Sequence, residues 1–81
     1  MMTLTHENLR RYLYEKQGLD PEDFDDDTLL FSSGLIDSFS MVGLIMFIED
    51  TAGLRVHPVD VTLDNFDSIN RILAFVEAHC A

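Results

Sequence analysis

The sequence predicts a small all-α protein, a four-helix bundle with three main helices, one short helix and a long ordered loop between the first two. Two observations carry this prediction. Three stretches place apolar residues at the i, i+3, i+4 spacing of amphipathic helices, and no stretch has the pattern of a strand. With 81 residues, 47% of them hydrophobic, residues 1–81 form a single domain. Its core is thin, because a chain this short buries only about 60% of its unfolded surface.

The first helix is predicted from about Thr5 to Gln17. Thr5 is a suitable N-cap residue, and Gly18 is a typical residue just past a helix end. An apolar stripe faces the core and consists of Leu9, Tyr12 and Leu13. The polar side of the helix is expected in water and carries Arg10, Arg11, Glu15 and Lys16.

Residues 19–37 have no sustained periodicity and are predicted to form an ordered loop over the bundle. Pro21 favours a turn or a short helical turn. Connections of about 20 residues without helix or strand are uncommon in compact domains, so this one needs apolar anchors. The anchors available are Leu19, Phe24, Leu29, Leu30, Phe31, Leu35 and Ile36.

Acidic residues in the loop at 23, 25 and 27 have the spacing that opens a calcium-binding loop. The pattern then fails, because Thr28 stands where glycine makes the sharp turn. Gly34 stands where a bidentate glutamate is required. We therefore interpret the acidic run as a solvated loop.

The second helix is predicted to begin at Asp37 or Ser38, both of which can cap a helix, and to end at Gly53. Residues at helical spacing along it are Phe39, Val42, Ile45 and Met46, with Glu49 and Asp50 on the polar side. Gly43 inside this helix costs about 1 kcal/mol relative to alanine, and would allow another surface to approach closely.

The last third of the chain predicts a short helical turn and a final helix. The turn falls within residues 59–63, where β-branched residues make the pattern weak. Asp67 or Ser68 is suited to cap the final helix, which runs to about Ala78. Its apolar stripe is the clearest in the chain: Ile69, Ile72, Leu73 and Val76.

Composition narrows the classes of function. Fifteen acidic against five basic residues give a net charge of −10, which argues against binding nucleic acid or an anionic membrane surface. The first residues lack the pattern of a signal peptide, and no apolar run approaches the roughly 18 residues that span a bilayer. A single cysteine fits a reducing compartment. We expect a cytoplasmic, monomeric protein.

No residues form a convincing catalytic set. The three histidines, at 6, 57 and 79, are far apart in the chain and lack the spacing of metal ligands. Cys80 lies beside the C-terminus, where neither a base nor a pocket is expected. Ser38 is not in a G-x-S-x-G elbow, because position 36 is isoleucine. We therefore predict no enzymatic activity and no metal site.

Ser38 has two interpretations on local grounds. It is either a simple N-cap residue, or a hydroxyl that carries a phosphate-linked group. The second is favoured physically by the partial positive charge and unpaired N–H groups of a helix N-terminus. Phe39 would then dock the helix under the modified residue. Spacing alone favours the cap, in which case the protein is a helical interaction module.

The stretch Gly34-Leu35-Ile36-Asp37-Ser38-Phe39 followed by Met41-Val42 resembles the attachment motif of the acyl and peptidyl carrier proteins. The similarity extends over nearly the whole chain. That family has a first helix, a long anchored loop, a second helix opened by the modified serine, a short third helix and a final helix. Segments 49–56 and 66–69 also resemble the family's helix-2 end and final helix start.

The resemblance implies that Ser38 bears 4′-phosphopantetheine, transferred from coenzyme A by a phosphopantetheinyl transferase that recognises Asp37. The arm would hold an acyl or aminoacyl group as a thioester. Further partners would be an adenylating loading enzyme, a ketosynthase, an acyltransferase or a thioesterase. Candidate docking positions on the second helix are Phe39, Ser40, Met41, Gly43, Leu44, Phe47 and Asp50.

The second helix departs from the fatty-acid synthase carriers, because it has no acidic residue between Ser38 and Ile48. We therefore expect more apolar partner contacts. The motif is closer to stand-alone carriers of specialised pathways, such as polyketide or nonribosomal peptide synthesis, and to the aminoacyl type that feeds cell-wall alanylation. The initial methionine and the lack of linkers favour a free subunit.

Overall fold

The structure, a computed structural model, describes residues 4–79 and confirms the all-α prediction. Helix α1 spans His6–Gln17, α2 spans Ser38–Ala52, the short α3 spans Leu63–Phe66, and α4 spans Ile69–His79. Two single 3₁₀ turns, Pro21–Asp23 and Pro58–Asp60, lie in the connections. Every helix in the described part of the chain is too short or too polar to cross a membrane.

Both ends of α1 lie where the capping residues predict. The Thr5 hydroxyl accepts a hydrogen bond from the Asn8 amide (3.2 Å), and the Asn8 side chain accepts one from the Thr5 amide (2.7 Å). Together they form a capping box. Gly18 follows the helix at φ 73° and Gly53 follows α2 at φ 70°, a left-handed conformation that only glycine adopts without strain.

The core is one cluster in which α4 packs against α1 and α3. The residues that are fully buried come from every helix and from the loop: Leu9, Leu13, Leu30, Leu44, Ile48, Phe66, Ile69 and Ile72. Phe75 packs on Phe66 with ring centroids 5.1 Å apart. Burial of this set is the main contribution to stability.

The loop between α1 and α2 is ordered and anchored, as predicted. Phe24, Leu30 and Ile36 are buried, and three further anchors pack against the core: Leu19, Phe31 and Leu35. The prediction that Leu29 is an anchor is wrong, because 41% of its surface is exposed. The neighbouring Leu30 is the leucine that the loop buries at this point.

Arg10 corrects the prediction for the polar side of α1. Its guanidinium is half-buried and donates to the Asp26 carboxylate (2.9 Å) and to the carbonyls of Pro21 and Phe24 (both 3.3 Å). It also stacks over the Phe24 ring at 4.9 Å. Arg10 therefore attaches the loop to α1. Part of the acidic run lies against this arginine, where the prediction had it wholly solvated.

The start of α4 resolves the ambiguity between its two possible caps. The Ser68 hydroxyl accepts a hydrogen bond from the Arg71 amide (3.1 Å), so Ser68 caps the helix. Asp67 lies one residue earlier and is almost fully buried, with 1% of its surface exposed. Its carboxylate bonds to the loop before α2. Cys80, for which no catalytic role was expected, lies outside the described residues.

Candidate functional site at the start of helix α2

Asp37 caps α2, and Ser38 is the first residue of the helix. The Asp37 carboxylate accepts a hydrogen bond from the Ser40 amide (2.8 Å), and the backbone carbonyl of Asp37 accepts one from the Met41 amide (3.2 Å). The one-residue ambiguity of the sequence is thus settled by the side chain that bonds to the helix. Ser38 is not the cap, so its hydroxyl is not used to satisfy the first turn.

The Ser38 side chain is exposed, and among residues 4–79 its hydroxyl makes no hydrogen bond. The two residues before Ser38, Ile36 and Asp37, are held in place by hydrogen bonds. Ile36 is buried and its amide donates to the Leu30 carbonyl (3.0 Å). The chain therefore rises from a fixed, buried anchor to an accessible hydroxyl within two residues.

Two hydrogen bonds hold the pKa of Asp37 below its ordinary value of 3.8: chiefly the one from the Ser40 amide, and to a lesser degree the one from the Ser40 hydroxyl. The carboxylate is therefore ionised at neutral pH. A negative charge at this position also interacts favourably with the positive end of the helix dipole. The residue directly before Ser38 thus carries an anionic group.

Replacing Asp37 by asparagine should lower the melting temperature at neutral pH, because asparagine keeps the capping oxygen but loses the charge. The folded-state pKa is below the unfolded one, so the charged cap contributes fully above the ordinary pKa. That contribution is lost as the pH falls through the lowered value. We expect the difference in melting temperature to vanish in acid. Asp50→Asn, an exposed acid on the same helix, is the control, and a difference independent of pH would contradict the prediction.

The chemistry available at this site is that of an acceptor. A covalently bound phosphate group at Ser38 would sit at a helix N-terminus, where amide groups and the dipole stabilise negative charge. The exposed position leaves room for a long substituent directed into solvent. Within residues 4–79 the hydroxyl makes no hydrogen bond to a base. These features fit a phosphodiester-linked prosthetic group.

Helix α2 presents an apolar strip to solvent next to Ser38, at residues one, four and eight positions beyond it. Phe39 is 78% exposed, Val42 60% and Met46 59%. We call these three residues the apolar α2 face. The suggestion that Phe39 docks the helix onto the core is wrong, since the buried side consists of Leu44, Ile48 and Thr51. Between Met41 and Ile48 the side chains of α2 are apolar all round, so their spacing could not tell the buried face from the exposed one.

The docking positions proposed from the sequence fall into two groups. Phe39 and Asp50 are exposed, and Ser40 and Met41 are half-buried. Leu44 is fully buried and cannot contact a partner. Val42 and Met46 were missed as surface residues, although the lack of acids on α2 already indicated an apolar contact.

Gly43 and Phe47 contribute to contacts within the chain. A Cβ atom at Gly43 would lie 3.0 Å from the Tyr12 hydroxyl, so the surface that approaches this glycine belongs to α1. Phe47 stacks on Tyr12 with ring centroids 4.4 Å apart. The Gln17 side chain donates to the Tyr12 hydroxyl (3.1 Å). These two positions of α2 are therefore assigned to the α1–α2 contact, with Phe47 partly buried against the core.

Comparison with known proteins gives a family match and several relatives, among them two D-alanyl carrier proteins. The family model described as "Phosphopantetheine attachment site" matches residues 7–76. The "D-alanyl carrier protein" of Staphylococcus saprophyticus is 37% identical over 51 residues, 63% of this chain and 65% of that protein. The "D-alanyl carrier protein" of Abiotrophia defectiva is 32% identical over 57 residues, 70% of this chain and 72% of that protein. The match thus spans about two thirds of the length of these relatives.

Proposed function

The chain belongs to the phosphopantetheine attachment site family, whose prosthetic group is 4′-phosphopantetheine, and we propose that it is a non-catalytic carrier protein modified at Ser38. The family membership confirms the resemblance drawn from the sequence. One observation supports Ser38 most strongly: its hydroxyl is exposed at the start of α2 and makes no hydrogen bond within residues 4–79, while Asp37 caps the helix. The hypothesis that Ser38 is merely a cap loses its physical basis.

The attachment step is a transfer from coenzyme A catalysed by a phosphopantetheinyl transferase. The Ser38 oxygen forms a bond to the phosphorus that carries the pantetheine, and the pyrophosphate bond of coenzyme A breaks. Adenosine 3′,5′-bisphosphate leaves, and the hydroxyl proton passes to a base of the transferase. Asp37 marks the site for the transferase as an ionised carboxylate next to the nucleophile. The attached arm supplies a terminal thiol that holds a cargo as a thioester.

The rest of the chain presents the arm to other proteins. The anchored loop and the cap of α2 fix the attachment point, and tethering raises the effective concentration of the cargo at each partner active site. No residue of the carrier takes part in the chemistry of the cargo. Catalysis lies with the partners, which load, modify and remove it.

We propose an aminoacyl cargo, such as D-alanine, loaded by an adenylating enzyme. Two relatives are named D-alanyl carrier proteins, and the motif from Gly34 to Phe39 resembles that of stand-alone aminoacyl carriers. The narrower expectation of a polyketide or nonribosomal peptide pathway stays a prediction. An assay with D-alanine, ATP and an enzyme that loads D-alanyl carriers tests the proposal. Loading with malonyl groups but with no amino acid would contradict it.

The decisive experiment for the carrier function is intact mass spectrometry of the purified protein. It is incubated with coenzyme A and a broad-specificity phosphopantetheinyl transferase. We expect the mass to rise by one phosphopantetheine group, and a single one. A protein that is folded by circular dichroism yet gains no mass would refute the carrier function and favour an interaction module.

The apolar α2 face is proposed as the surface that contacts the loading enzyme. Phe39→Ala should lower kcat/KM for loading about tenfold, because a large exposed aromatic next to the attachment point has the character of an interface anchor. The melting temperature should hardly change, since the side chain is exposed. Tyr14→Ala, an exposed aromatic on α1 (57%), is the matched control and should leave loading unchanged.

The salt dependence of loading separates the two kinds of contact. An apolar contact predicts a loading rate that varies little with ionic strength, whereas docking through the acidic surface would weaken steeply as salt screens it. A steep decrease together with normal loading of Phe39→Ala would assign docking to the acidic residues of this chain.

A further inference from the structure

We propose that Asp67, in the connection between α3 and α4, is a positioning residue that fixes the attachment serine for transfer of the prosthetic group. It does so by holding the loop segment 30–36 that leads into α2. This inference rests on the proposal that Ser38 is the attachment residue. It concerns a residue far from Ser38 in sequence, which the pattern of the chain presented only as a possible cap of α4.

Asp67 bonds to three consecutive residues of the loop. One oxygen of its carboxylate accepts from the amides of Phe31 (2.7 Å) and Ser32 (3.0 Å). The other oxygen accepts from the Ser32 hydroxyl. The backbone carbonyl of Asp67 accepts from the Leu30 amide (2.6 Å). Four hydrogen bonds thus converge on one residue, and Asp67 is 1% exposed.

The state of the carboxylate suits this role. Burial raises the pKa of Asp67, but the hydrogen bonds of the Ser32 hydroxyl, the Ser32 amide and the Phe31 amide together hold it below its ordinary value, aided by Arg71. The group is therefore an ionised acceptor at neutral pH. Hydrogen bonds to an ionised acceptor are shorter and stronger than those to a neutral one, which makes the loop contact rigid.

The loop segment 30–36 is joined by its own backbone hydrogen bonds immediately before Ser38. The Leu30 carbonyl accepts from the Ile36 amide (3.0 Å), and the Phe31 carbonyl accepts from the Gly34 amide (3.1 Å). Leu30 is thus bonded to Asp67 through its amide and to Ile36 through its carbonyl. Only Asp37 separates Ile36 from the serine. Asp67 therefore fixes where the chain enters α2 relative to α3 and α4.

The effect on transfer follows from geometry. A serine oxygen must be in line with the phosphorus and the leaving group, and small misplacements of reacting groups cost up to about a hundredfold in rate. Asp37 and the surface of α2 remain available to the transferase when Asp67 is replaced. We therefore expect Asp67→Ala to lower kcat for transfer about tenfold or more, with the KM for the carrier changed by less than about threefold.

A set of variants tests this with the apo protein, coenzyme A and a transferase, at a temperature where each variant is folded. Asp67→Ala removes all three hydrogen bonds of the carboxylate, and Ser32→Ala removes only the one from the Ser32 hydroxyl. Asp67→Asn preserves the shape of the side chain and the oxygen that accepts hydrogen bonds from the two amides. The order of kcat should be wild type, then Asp67→Asn and Ser32→Ala, then Asp67→Ala. Asp64→Ala, an exposed acid on α3, removes the same charge and should behave as wild type.

Amide hydrogen exchange distinguishes positioning from general loss of stability. The Ile36 amide donates to the Leu30 carbonyl in the loop, and the Ile72 amide donates to the Ser68 carbonyl in α4. Asp67→Ala should accelerate exchange of the Ile36 amide far more than exchange of the Ile72 amide. If Asp67→Ala does not fold, Ser32→Ala gives the same comparison with a smaller effect. Equal acceleration at both amides, or a normal kcat with Ile36 released, would overturn the proposal. Failure of the wild type to accept the group would instead refute the carrier function.

Discussion

The Ser38→Ala variant is expected to accept no phosphopantetheine at all, while the wild type is modified completely under the same conditions. The attachment needs a hydroxyl oxygen, and alanine has none. The variant should fold normally, because Ser38 is exposed at the first position of α2 and makes no capping hydrogen bond. Alanine is also the most favourable residue in a helix. Intact mass after incubation with coenzyme A and a transferase is the measurement.

Ser40→Ala is the matched control for this experiment. It removes a second hydroxyl from the same helical turn, together with its hydrogen bond to Asp37, but leaves the Ser40 amide that bonds to the Asp37 carboxylate. Because Ser38 is intact, it should still gain one phosphopantetheine group, even if the rate of transfer changes. Modification of the Ser38→Ala protein would show that the group is attached elsewhere. Loss of modification in both variants would point to a damaged helix start.

The Leu30→Ala variant should lose about 2–5 kcal/mol of unfolding free energy, the range found for leucine-to-alanine changes in cores. Leu30 is in the loop, yet it is fully buried and lies in the same cluster as the helices. Small domains have only about 5–15 kcal/mol in total, so the loss would be a large part of the stability. Urea unfolding followed by circular dichroism measures it.

Leu29→Ala provides an internal comparison at the neighbouring position. Its side chain is 41% exposed, so truncation leaves a smaller cavity and removes less buried surface. We expect a loss of less than about 1 kcal/mol. Equal losses at the two positions would mean that the loop is not anchored through Leu30. A small loss at both would mean that the loop contributes little to the fold.

The helix boundaries and the anchoring of the loop could be predicted because they depend on local chemistry. Thr5 and Gly18 bound α1 through bonds and backbone angles that involve near neighbours only. Ile69, Ile72 and Val76 mark the buried side of α4, because polar residues lie on its other side. The choice between Asp37 and Ser38 as the cap of α2 could not be made in this way, since each of these adjacent side chains can accept a hydrogen bond from an amide of the first turn.

The sequence by itself determined the all-α fold, the order of the helices and the position of Ser38 at the start of α2. Only the tertiary structure decided which side of α2 is buried, because an almost wholly apolar helix has no polar face to define its orientation. It placed Phe39, Val42 and Met46 in solvent and Leu44 in the core. It also made Asp67 a loop anchor, since a buried carboxylate finds its donors across the fold and not along the chain.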